Sequence, residues 1–405
     1  MALNGANKRN GSETPIARVK VVGVGGGGGN AASRMGRDFP IKNVEFVAIN
    51  TDAQDLDFCA VKHKLYIGKN LTRGLGTGMN PDLGRQAAEE NRSEIADLFQ
   101  NTDIAFITAG MGGGTGGGAS PVIAEAAKQS GALTIAVVTK PFAFEGTQRA
   151  RLAQDALLKL KDKVDALIVV PNDRIFSVIN KDTPIMKAFE AIDDVLRNAV
   201  QGIVELVVTP GIINIDFADV RTIMQDAGGA LVGIGIAGGQ ERAMSAVNIA
   251  VNSPLLEATI DGAKGVLFGV SGSRDIKMNE VNDIAKVIAE AADPSARIIF
   301  GAYYDKKLKP GQIKVTFIAT GFNGSKPAGS LFSALTGGAR NGGNPSADGA
   351  SSNSHASVAE SGLVNGFFAR EPETPEPAKQ EKPSADKKKQ DDVWDIPTFL
   401  RKRRR

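Results

Sequence analysis

Glycine is concentrated in two short windows of the chain. Residues 23–29 read GVGGGGG and residues 110–118 read GMGGGTGGG, so six and seven of the 47 glycines fall there. A backbone without Cβ atoms lets amide groups approach an anion closely, and a helix that starts after such a turn adds about half a positive charge. Gly23-x-Gly25-x-x-Gly28 fits the dinucleotide pattern GxGxxG, with Asp52 where a ribose-binding carboxylate would stand. A second loop of the same kind points instead to a longer or more charged phosphate chain held from both sides. Thr115 would add a hydroxyl for a phosphate oxygen or a metal-bound water. No GxxxxGK[ST] occurs, so a P-loop enzyme is excluded on pattern; phosphate binding must rest on amides, helix dipoles and a cation. A plain tight turn or surface loop is the bland alternative for each window. A third cluster, Asn214, Asp216 and Asp219 in INIDFADVR, has two carboxylates three apart at a predicted helix start. They read equally as a helix cap with its third position or as groups that polarise water.

The elements that would carry these residues alternate. ARVKVVGVG, VEFVAINTD, DIAFITAG, ALTIAVVTK and DALIVVPND start apolar and end in turn residues, with helical spacing between them. Near-continuous apolar strands alternating with helices predict a parallel sheet covered on both faces, with ligands at the carboxyl ends of its strands. Both glycine windows fall at such ends. The first leads into a predicted helix NAASRMGRD with Asn30 near its cap, the second into ASPVIAEAAKQ. A long helix is predicted over 183–208, stopped by Thr209-Pro210-Gly211. Residues 228–322 read as a smaller α/β unit with helices at 240–252 and 277–292. Its strands are ALVGIGIA, GVLFGVSG, ARIIFGAYY and IKVTFIATG, the last two a hairpin's distance apart, which predicts a mixed sheet.

Composition narrows the alternatives. One cysteine, Cys59, leaves no intramolecular disulfide or cysteine-based zinc site and suits a reducing compartment. The two histidines, His63 and His355, make serine–histidine catalysis a poor expectation. No signal peptide is evident at the start, and the longest apolar runs fall far short of the ~20 residues that span a bilayer. The net charge of +3 is set by the final RKRRR, which alone contributes +5. Basicity therefore belongs to the tail, and the body offers no evident nucleic-acid stripe.

AGMGGGTGGGAS resembles the glycine box of the tubulin/FtsZ superfamily, and VVGVGGGGGNA resembles the first phosphate loop of its bacterial form. INTDAQ (49–54), RGLGTGMNP (73–81), PFAFEGTQR (141–149), PNDR (171–174) and GIINIDFADVR (211–221) follow in the family's order. The resemblance implies a GTP-binding domain over 16–182, a central helix and catalytic loop over 183–227, and a C-terminal α/β domain over 228–322. Flanking these are a disordered N-terminal arm (1–15), a disordered linker (323–390) and a C-terminal partner-binding peptide with a basic end (391–405). It implies that GTP or GDP, with Mg²⁺, is held by Gly26, Gly27, Gly28, Gly29 and Asn30 and by Gly112, Gly113, Gly114, Thr115, Gly116 and Gly117. Glu145, Arg149 and Asn172 would serve the sugar side, and Asp52 would belong to the GTP site. Phe189 would stack on the base while Asp193 or Asp194 accepts from the N1–H and 2-amino group of guanine. Asn214, Asp216 and Asp219 would act on the nucleotide of the next subunit in a head-to-tail filament, which implies assembly-dependent GTP hydrolysis.

The same resemblance implies a cytoplasmic protein acting at the midcell division ring. Asp395, Ile396, Pro397, Phe399 and Leu400 would dock on membrane tethers and regulators, and the basic end would favour anionic lipid weakly. Two other classes stay open on residues alone: a non-hydrolysing scaffold filament and a Rossmann-type oxidoreductase.

Overall fold

The computed structural model describes residues 17–322, apart from 39–42, 181, 257–258 and 306. The N-terminal arm, the linker and the C-terminal peptide with Asp395, Ile396, Pro397, Phe399, Leu400 and its basic end lie outside the described residues.

The chain begins by alternating strands and helices. β1 (Val19–Val24), α1 (Gly25–Asp38), β2 (Val44–Asn50), α2 (Ala53–Phe58) and β3 (His63–Tyr66) come first. Three helices follow, α3 (Lys69–Thr72), α4 (Pro81–Glu90) and α5 (Arg92–Leu98), then β4 (Ile104–Gly110) and α6 (Gly114–Gln129). β5 (Leu133–Lys140), α7 (Thr147–Lys161), β6 (Ala166–Pro171), the long α8 (Ile185–Val208) and α9 (Phe217–Met224) complete this half. The remainder comprises β7 (Gly228–Gly238), α10 (Arg242–Val251), β8 (Gly265–Gly272), α11 (Met278–Ala291), β9 (Arg297–Tyr304) and β10 (Gln312–Thr320).

The strand order is β3-β2-β1-β4-β5-β6-β7-β10-β8-β9. From β3 to β7 every pair is parallel, and β6 meets β7 through only two residue pairs. β10 is antiparallel to both β7 and β8, and β8 is parallel to β9, so the second sheet is mixed as the spacing predicts. The last two strands are nevertheless not neighbours. β10 inserts between β7 and β8, where Val315 and Phe317 are fully buried, and β9 takes the edge.

Alternation along β1 decides the layers. Val22 and Val24 face a core shared with α4 to α7, while Val19 and Val21 face α1 and α8. The face that holds α8 and α9 continues under the second sheet, where Leu267, Tyr303 and Ile318 join the same core. α10 and α11 close the opposite face of that sheet over Phe268 and Phe317. In α8 the buried Ile192, Leu196, Val200, Ile203 and Val204 recur at helical spacing, which lets one helix lie against both sheets.

Candidate nucleotide site

The sheet order reverses at β1 and β4, the point where open α/β sheets bind ligands beyond their carboxyl ends. Both glycine windows emerge there. Gly25, in the left-handed region with φ 70°, turns the chain from β1 straight into α1. The helix therefore starts five residues before Asn30, which lies exposed in its second turn rather than at its cap. Close packing holds this glycine run helical against its low propensity: a Cβ on Gly28 would stand 2.3 Å from the Thr108 carbonyl oxygen. α6 likewise starts within its glycines, at Gly114, so Thr115 belongs to its first turn.

Between the two helix starts and the N-terminal half of α8 lies a cavity of about 600 Å³. One end is lined by Gly25, Gly26, Gly27, Gly113, Gly114, Thr115 and Gly116, so two helix N-termini converge on it. Gly28, Gly29, Asn30, Gly112 and Gly117 do not line it. Gly29 instead packs on Cys59 and Gly117 on Ala156, where an added Cβ would stand at 2.9 and 3.1 Å.

Thr115 is buried, with its hydroxyl 2.6 Å from that of Thr51 and 2.9 Å from that of Thr77. These contacts join the second glycine loop to the end of β2 and to the 73–80 loop. Leu75, Gly76, Thr77 and Gly78 of that loop line the cavity. The motif RGLGTGMNP contains them, but nothing in their residue types singles them out.

Asp52 lines the cavity and caps α2, accepting from the Asp55 amide at 3.0 Å. Asn50 and Asp55, which the sequence reading did not assign, line it too. The Asn50 side-chain amide donates to Asp55 at 2.7 Å. Burial and the neighbouring Asp52 carboxylate raise the Asp55 pKa above the usual carboxylate range, and the Asn50 bond opposes this.

At the other end stand Glu145, Arg149, Asn172, Phe189 and Asp193. Glu145 ends a one-turn 3₁₀ helix (Ala143–Glu145), accepts from the Phe142 amide at 2.9 Å, and pairs with Arg149 in the first turn of α7. Asn172 follows β6; its Oδ1 is buried and, among the described residues, has no hydrogen-bond partner, an acceptor open to a ligand donor. Phe189 is 41% exposed and meets Phe142 edge-on at 5.8 Å, leaving ring surface for stacking. Asp193 is mostly buried, and burial pushes its carboxyl up to about 6 despite Arg34 at 3.2 Å. Asp194, one residue on, turns away to Arg197 at 3.1 Å, is 55% exposed and does not line the cavity.

The acidic loop lies elsewhere. Asp216 caps α9, its carboxylate accepting from the Ala218 amide at 3.1 Å, and Asp219 lies exposed in the first turn. The side-chain oxygen of Asn214 accepts from the Gly211 amide at 2.6 Å, and the backbone of Ile213 is bridged to Ala302 of β9. These residues follow the C-terminal end of α8, whereas Phe189 and Asp193 sit near its start.

A parallel sheet with two glycine-rich helix starts at its switch point, above a cavity of nucleotide size, defines a nucleotide-binding α/β protein. The model of the Tubulin/FtsZ family GTPase domain matches residues 18–180, and that of the FtsZ family C-terminal domain matches residues 228–323. Among solved structures, an empty FtsZ dimer from M. jannaschii is 44% identical with a TM-score of 0.72, covering 77% of this chain and 90% of that one. A mutant FtsZ from the same organism is also 44% identical, with a TM-score of 0.71 and coverage of 76% and 91%. CetZ2 from Haloferax volcanii, a GTPγS-bound protofilament, shares the fold at 22% identity, with a TM-score of 0.67 over 79% of this chain and 97% of that one. The chain belongs to the FtsZ family of tubulin-like GTPases, the GTP-binding proteins of cell division. Among the described residues no helix is long and apolar enough to cross a membrane.

Proposed function

We propose that the protein hydrolyses GTP only when copies stack head to tail, and that the resulting filaments build a division ring. The observation that supports this is the separation of the two halves of the site within one chain. From Asp193 to Val208 α8 rises roughly 22 Å at the usual helical pitch, and Asn214, Asp216 and Asp219 beyond its end do not line the cavity of their own chain. A copy stacked end-on can bring its loop to the open mouth of the next.

In this reading the amides at the starts of α1 and α6 hold the phosphates, with Gly113, where a Cβ would meet nothing within 4 Å, leaving room for close approach. Glu145, Arg149 and Asn172 hold the ribose, and Phe189 stacks on the base. Asp193 accepts from the N1–H and 2-amino group, a donor pair that adenine lacks. The carboxylates of a neighbouring copy orient the attacking water and withdraw its proton as its oxygen bonds to the γ-phosphorus and the bond from that phosphorus to the β–γ bridging oxygen breaks, releasing GDP and phosphate. Mg²⁺ fits the donor set: Asp52 and Asp55 line the phosphate end, and the phosphates would complete its ligands. Bound there, it would neutralise charge developing on the phosphate oxygens.

The test uses Asp216, because its capping and catalytic roles separate. Asp216→Asn keeps a good cap but removes the charge, whereas Asp216→Ala removes both and costs about 1 kcal/mol of stability. GTPase rate per subunit should rise with concentration in the wild type. In Asp216→Asn it should fall at least about a hundredfold while GTP still binds and filaments still sediment. A dilute monomer that hydrolyses as fast per subunit as assembled protein would refute the split site.

A further inference from the structure

α1 and α8 lie side by side on one face of the sheet, and one contact between them carries charge into the base end of the cavity. The Arg34 guanidinium, on α1, meets the Asp193 carboxylate, on α8, at 3.2 Å; the two side chains are 28% and 17% exposed. The neighbouring acids on α8 have cations of their own. Glu190 pairs with Lys187 at 2.7 Å and Asp194 with Arg197 at 3.1 Å. Across the cavity Glu145 and Arg149 are paired with each other. Among the described residues, Arg34 is the cation that opposes the rise in the Asp193 pKa.

We propose that Arg34 is a positioning residue for guanine selection: it holds the Asp193 carboxylate ionised and aimed where both oxygens can accept from the base. This rests on the assignment of Asp193 to guanine in the proposed function. Burial raises the Asp193 pKa most, Arg34 opposes the rise, and Asp194 and Glu190 add to it, leaving it at about 6. An ionised carboxylate accepts from two parallel donors, whereas a protonated one carries an O–H that faces one of them. Guanine binding is therefore fully present above the Asp193 pKa and weakens as pH falls through it. Without Arg34 that fall begins at higher pH.

The experiment is calorimetric titration of the full chain with GDP and with IDP, which lacks the 2-amino group, from pH 5.5 to 8.5. GDP avoids turnover. In the wild type, GDP affinity and its preference over IDP should both drop as pH falls past about 6. Arg34→Met keeps an apolar stem of similar length, and Arg34→Lys keeps the charge. Arg34→Met should move the midpoint up by about one pH unit, weakening GDP about threefold at pH 6.5 and recovering at pH 8.5. Arg34→Lys should restore most of the wild-type profile. An Arg34→Met protein with the wild-type midpoint overturns the proposal. So does one that binds weakly at every pH and is not rescued by Arg34→Lys, because the pair would then serve packing alone. Asp193→Asn separately tests the assignment beneath it: weak, pH-independent GDP binding supports the base contact, and wild-type affinity refutes it.

Discussion

Glycines that look equivalent in the chain divide into two groups once their surroundings are known. Gly113 has φ −91° and nothing within 4 Å of where a Cβ would stand, at the mouth of the cavity. Gly118 lies four residues into the same helix, where a Cβ would stand 2.0 Å from the Pro81 carbonyl oxygen of α4. Gly84 on α4 makes the reciprocal approach, 2.3 Å from the Gly114 oxygen. Gly118→Ala should therefore cost about 1–3 kcal/mol in urea unfolding by forcing α4 from α6. Gly113→Ala should leave the unfolding midpoint within about 0.5 kcal/mol and weaken GDP binding in titration. Equal stability losses in the two variants would show that the division is wrong. The windows were legible in the sequence as places of close backbone approach, but not what approaches. A glycine that admits a phosphate and one that admits a neighbouring helix are the same letter. Asn30 was misplaced for the same reason: low helix propensity suggests a turn through residues 25–29, whereas packing over Thr108 makes them helical.

At the scale of elements, the parallel half was readable because its strands are buried on both faces and nearly continuous in apolar residues. β3, only His63–Tyr66 and without a buried residue, lacked that signal. The order β7-β10-β8-β9 was not readable either, since a short connection between β9 and β10 suggests a hairpin and only burial of β10 on both sides excludes it. That Asn172, Phe189 and Asp193 meet at one cavity was legible through family resemblance, but the Arg34–Asp193 pair joins two helices far apart in the chain, and no local pattern announces it. α8 is the element on which both halves depend. Ile203 is fully buried in the core it shares with α9 and the second sheet. Ile203→Ala should cost about 2–5 kcal/mol, and if α8 unites the halves, probes in β1 and in β10 should lose their structure at the same denaturant concentration. Two separate transitions would show instead that the two-residue link between β6 and β7 leaves the halves independent.

For the whole molecule, the proposed division of the site between the two ends of the subunit would make activity a property of junctions. The head-to-tail contact proposed above would be heterologous, each copy offering its cavity to one neighbour and its acidic loop to the other. Two inactive variants that fail at opposite ends should then rescue one another. Asp216→Asn retains the cavity and loses one of the two loop carboxylates; Asp193→Ala impairs the proposed base contact and retains the loop. In an equal mixture that assembles at random, half the cavities are sound and half of their neighbours carry a sound loop. About a quarter of the junctions should therefore be productive, against almost none in either variant alone. Phosphate release from the mixture, measured beside sedimentation to establish that both variants enter the filament, reads this directly. A copolymer no more active than the average of its parts would mean that each chain completes its own site. The distance imposed by α8 would then have to be closed by a rearrangement within the subunit, not by assembly.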